Sequence, residues 1–190
     1  MKRKNIKSAM GNNMKILIFL QGTVIMHKNA AGLDWKEIIQ QVINQEESVR
    51  DFKNYIPIGN APQKLKKWVE QSAEICYLSA LTENKKGRGD EVVGKDGLKA
   101  DPIVLDRYDF PKGIIYHREQ DEGYEDVIKR IVPCPDVLIE DDCESIGGEK
   151  EMTYPHIKSE IKAMIKSVTV KEFRGIDYLP DNIELLRTQK

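Results

Sequence analysis

Four short apolar runs, each strand-length and each set off by helical or polar sequence, limit this chain to few folds. The first lies in ILIFLQGTVIMH (residues 16–27), where Ile16 to Leu20 is apolar at every position and the run stops at Gly22-Thr23. A strand without polar alternation is covered on both faces, the habit of parallel sheets. The others are ICYLS (75–79), IIYHR (114–118) and DVLIEDD (136–142). Amphipathic stretches separate them. GLDWKEIIQQVINQ (32–45) spaces Trp35, Ile38, Ile39, Val42 and Ile43 as a helix does, with Asp34 and Glu37 forming a capping box. APQKLKKWVEQSAE (61–74) turns Leu65, Trp68 and Val69 inward behind Asn60 as cap and Pro62 in the first turn. EGYEDVIKRI (122–131) collects Tyr124, Val127, Ile128 and Ile131 on one face, and PHIKSEIKAMIKSV (155–168) reads as a last helix through Ile157, Ile161, Met164 and Ile165. Residues 82–113 are polar, carry five glycines and predict only one or two short helices.

Strands alternating with helices predict an α/β fold: a doubly wound parallel sheet of Rossmann type with helices on both faces. Ligands of such sheets collect beyond the carboxyl ends of the strands. Here those ends carry Gln21-Gly22-Thr23, Ser79, the Tyr116-His117-Arg118 region and Glu140-Asp141-Asp142.

With 190 residues the chain suits one domain over 14–190, behind a disordered tail at 1–13 that is basic but has no apolar core of a signal peptide. Thirty basic and 31 acidic side chains leave a net charge of −1, which offers no general field for nucleic acid or an anionic membrane. Trp35 and Trp68 sit on apolar faces without interleaved basic residues, so no base-stacking platform is predicted. Cys76, Cys134 and Cys143 form no C-x-x-C pair, so neither a disulfide framework nor a zinc site is suggested, which favours a reducing, cytoplasmic setting.

In chain order the strand ends present a Gly-Thr turn, a hydroxyl, a cation and a pair of acids. That set resembles the haloacid dehalogenase superfamily, mostly phosphohydrolases, over residues 14–179. The match is firm at LIFLQGT and DVLIEDDCESIGG. The resemblance implies that Gly22, Thr23, Ser79 and Arg118 bind phosphate, with Lys112 and Lys129 as rivals for the cation. It implies that Asp141 and Asp142 hold Mg²⁺, and that a small helical cap lies within residues 25–60. The departure is at the first motif. Where the family places its nucleophilic Asp and its acid–base Asp, this chain has Phe19 and Gln21, and no acid precedes Asp34. Phe19 offers phosphorus no lone pair. Gln21 can hydrogen-bond a phosphate but cannot exchange a proton at useful pH.

The expectation is therefore a domain that keeps a phosphate pocket built on Gln21, Gly22, Thr23, Ser79 and Arg118, and that binds a phosphorylated small molecule or a protein partner without the usual turnover. Two rivals stand beside it. One is a Mg²⁺-dependent phosphohydrolase in which Asp141 and Asp142 position a water directly and His27 or an acid from elsewhere acts as base. The other is a structural subunit with a vestigial pocket.

Overall fold

The computed structural model describes residues 13–83, 91–119 and 121–189; of the tail expected at 1–13, all but Asn13 lies outside the described residues. In chain order the elements are β1 (Lys15–Phe19), β2 (Ile25–Met26), α1 (Trp35–Ile43), β3 (Ile56–Pro57), α2 (Ala61–Glu70), β4 (Glu74–Leu78), β5 (Leu81–Thr82), β6 (Glu91–Val92), α3 (Gly94–Gly97), α4 (Ala100–Arg107), β7 (Ile115–Tyr116), α5 (Tyr124–Lys129), β8 (Val137–Asp141), α6 (Ser159–Lys162) and β9 (Lys166–Val170). Five of the strands form one parallel sheet in the order β7-β4-β1-β8-β9. β1 is central: Ile16 pairs with Ile75 on one side and with Val137 on the other. The chain adds β4 and β7 on one side and then crosses to add β8 and β9 on the other, so order reverses beside β1.

Alternation along β1 divides the interior. Ile16 and Ile18 pack with Leu65 and Trp68 of α2 and with Val104 and Leu105 of α4. Leu17, with Cys76, Leu78 and Leu138, packs against Val127, Ile128 and Ile131 and against Ile157 and Ile165. Successive strand side chains point to opposite faces, so a strand flanked by apolar groups on both must be apolar throughout. From Ile16 to Phe19 β1 meets that demand, and Lys15 at its start pairs with Glu74.

The capping box at Asp34 forms: its carboxylate accepts from the Lys36 and Glu37 amides, and Glu37 accepts from the Asp34 amide. At α2 the expected cap differs. The Asn60 side chain makes no cap bond; its backbone and side-chain amides donate to Asp177 instead. Val69 is exposed, and Lys64 takes the buried position, because its ammonium donates to the Leu179 carbonyl and pairs with Asp181. Residues between β2 and β3, which pair as an antiparallel ribbon, carry α1 and short 3-10 turns at Glu47–Arg50 and Phe52–Asn54.

The predicted helix over 155–168 is corrected. Only Ser159–Lys162 is α-helical, and Lys166–Val170 is a fifth parallel strand paired along its whole length with β8. Val168-Thr169-Val170 is β-branched and alternates in burial, which suits a pleated edge.

Candidate functional site

At the end of β1 the chain turns on Gly22, whose φ of +84° is open to glycine at little cost. The Gly22 amide donates to the Ile25 carbonyl, and its own carbonyl accepts from the Phe173 amide at 2.7 Å. Thr23 Oγ1 donates to Asp141 Oδ2 at 2.7 Å, and the second Asp141 oxygen accepts from the Cys143 amide at 3.0 Å. Two strand ends 118 residues apart are thus joined by one buried hydrogen bond.

The three acids at the end of β8 take three different directions. Glu140 turns to the opposite side of the strand, where it accepts from the Thr153 and Tyr154 amides. Asp141 faces the cleft above β1. Asp142 pairs with Lys171 and accepts from the Glu172 amide. The pair expected to share Mg²⁺ therefore does not present both carboxylates to one point. Among the described residues, no group of three or more His, Cys, Asp or Glu side chains is arranged to hold a metal.

Two other expected phosphate donors, Gln21 and Ser79, meet at an acid that sequence reasoning missed. Asp101, in the first turn of α4, is 1% exposed. Its Oδ1 accepts from Gln21 Nε2 at 2.8 Å and its Oδ2 from Ser79 Oγ at 2.5 Å. Gln21 Oε1 accepts from the Ala80 amide, and Ser79 Oγ accepts from the Leu81 amide. The ends of β1 and β4 are tied together through a buried carboxylate, whose pKa burial pushes up to about 6 against the pull of those two donors. The one available signal is an acid beside Pro102 at a helix start, which ordinarily reads as capping.

Arg118 is buried at the end of β7, its guanidinium 3.9 Å from the Tyr124 ring centre. Tyr124 in turn meets Phe19 edge-on at 5.0 Å. Arg118 does not line the cleft; it stands in contact with a ring that does. Lys112 and Lys129 are on the surface, paired with Asp106 and Asp126. His27 is buried, with Nε2 against Gln41 at 2.8 Å and its ring near Tyr55 and Phe173, and it does not line the cleft.

The cleft over the end of β1 has a volume of about 100 Å³, several times what a single water requires. Its walls are Phe19, Phe52, Tyr55, Tyr124 and Phe173, and its acids are Asp141, Glu151 and Glu172. Among the described residues, no Lys, Arg or His lines it. Asp141 and Glu172 both lie against Gly22, where an added Cβ would come within 2.9 Å of Asp141 Oδ2 and 3.3 Å of Glu172 Cγ. Burial raises the pKa of Asp141; burial and then the charge of Asp141 raise that of Glu172. Cys143 also lines the cleft, but burial and the neighbouring acids raise its thiol so far that it stays neutral and is a poor nucleophile.

No helix among the described residues is long and apolar enough to cross a membrane. No family model matches the sequence, and no curated protein matches it.

Proposed function

We propose that the chain is a doubly wound domain of haloacid dehalogenase type with a small helical cap, and that it binds a small molecule in the cleft over β1 without aspartyl-phosphate turnover. The observation that carries this reading is Phe19. Its ring walls the cleft at the position where the resemblance requires an attacking carboxylate. Gln21, in place of the proton carrier, has both ends of its amide committed to Ala80 and Asp101. An apolar wall with few polar groups suits recognition.

A phosphorylated ligand falls within this reading if Asp101 releases Ser79 and Gln21 to it, since their donors are otherwise satisfied. The phosphohydrolase reading loses one of its two candidate bases, because His27 does not line the cleft, and would have to draw on an acid such as Glu151 or Glu172.

The test is incubation of the full chain with a generic aryl phosphate and Mg²⁺, following phosphate release. The expected result is no release above the protein-free rate. Release that requires Mg²⁺ and disappears in Asp141→Asn would establish the phosphohydrolase instead.

A further inference from the structure

We infer that the cleft takes an organic cation: an ammonium or guanidinium head against Asp141 and Glu172, with an apolar body among the rings. The inference rests on the reading of the cleft as a binding site and names the ligand class for it.

Charge supplies the first argument. Asp141 and Glu172 are 4% and 6% exposed, and both line the cleft. Buried carboxylates ordinarily sit beside a cation or a metal. Among the described residues, neither has an ion-pair partner: the adjacent Lys171 goes to Asp142 and Glu144. What stabilises them locally is neutral. Thr23 and the Cys143 amide donate to Asp141, and the Ser145 amide and hydroxyl donate to Glu172. Both acids pack on Gly22, so a positive group placed there would offset their mutual repulsion.

The walls supply the second. Phe19, Phe52, Tyr55, Tyr124 and Phe173 surround the same space. Aromatic faces carry negative potential and attract cations that are weakly hydrated, which describes alkylammonium and guanidinium groups better than a hard metal ion. Mg²⁺ keeps most of its water and asks for oxygen ligands in octahedral array. The carboxylates here are flanked by aromatic rings, which supply no oxygen ligands for the rest of that array. Among the described residues, an anion would meet three lining carboxylates and no lining cation.

The experiment uses the full chain and four probes: benzylammonium, benzyl alcohol as its neutral counterpart, phenyl phosphate, and MgCl₂ alone. Calorimetric titration and thermal unfolding are read for each. Benzylammonium alone is expected to bind and raise Tm. Glu172→Gln, which keeps an acceptor for Ser145, is expected to weaken it roughly tenfold. Phe19→Leu, which keeps the charge but removes a ring, is expected to weaken it roughly threefold. Circular dichroism checks that both variants fold.

Benzyl alcohol binding as well as benzylammonium would overturn the cation and leave the binding site standing. Stronger stabilisation by phenyl phosphate or by Mg²⁺ would do the same. Silence from all four probes would overturn the inference and the binding reading together. Unchanged benzylammonium affinity in both folded variants would place the site elsewhere and overturn the inference.

Discussion

Asp101→Asn is the sharpest probe of how the strand ends are held. The carboxylate is almost fully enclosed, with Ser79 Oγ at 2.5 Å and Gln21 Nε2 at 2.8 Å, and without a cation among its hydrogen-bond partners. Burial lifts its pKa from 3.8 to about 6, which means the fold prefers the neutral acid. A carboxyl group whose folded pKa lies above its unfolded one stabilises the fold below the unfolded value. That contribution is lost as pH rises through the folded value, because the folded state then holds the extra proton only at lower pH. The difference of about two pH units corresponds to roughly 3 kcal/mol lost between about pH 4 and pH 7. Asn imitates the neutral acid, accepting from Gln21 and donating to Ser79 while remaining uncharged at every pH. Thermal unfolding of both proteins from pH 4 to pH 8 should show near-equal Tm at the acid end. The variant should then gain, reaching an advantage of about 6–12 °C at pH 8 for a domain of this size. A difference that does not change with pH would refute the reasoning. So would a wild type more stable than the variant at pH 8, since that would mean the two hydrogen bonds outweigh the cost of enclosing the charge.

Gly22→Ala forces a side chain onto a backbone at φ +84° and into Asp141 and Glu172. It should cost about 1–3 kcal/mol, read as a lowered denaturation midpoint with an unchanged slope. Glu140→Ala removes the acceptor for two amides, those of Thr153 and Tyr154. The loss should be about 2–4 kcal/mol, with faster amide exchange confined to the 153–157 turn.

The fold was legible where burial on two faces left no room for polar alternation, as at Ile16–Leu20. It was also legible where a cap and a period agreed, as at Asp34 and α1. β9 escaped because Ile157, Ile161 and Ile165 keep a helical spacing right up to its first residue, and a half-buried edge strand has too few apolar positions to break that pattern. Val69 and Lys64 exchanged places because the C-terminal segment supplies Leu179 and Asp181 to the lysine, a partner no local pattern announces. At the site, the meeting of Thr23 with Asp141 could be anticipated from parallel strand ends. The separate orientations of Glu140, Asp141 and Asp142 follow from strand alternation and the turn after it, but which acid would face the cleft depends on β9 and its loop. Asp101 was hidden because an acid is expected at the surface. Its burial requires two strand ends that only the folded sheet brings within reach.

The central place of β1 has a consequence for how the molecule is made. Its hydrogen-bonding edges are filled by β4, some sixty positions onward, and by β8, whose Val137 faces Ile16 across 121 positions of chain. A growing polypeptide on the ribosome therefore carries a largely apolar strand with one side unclaimed until β8 has been synthesised. Closing so long a span is slow and leaves that side open to other chains meanwhile. Helpers that shield nascent chains should matter most for this molecule during the interval before β8 emerges.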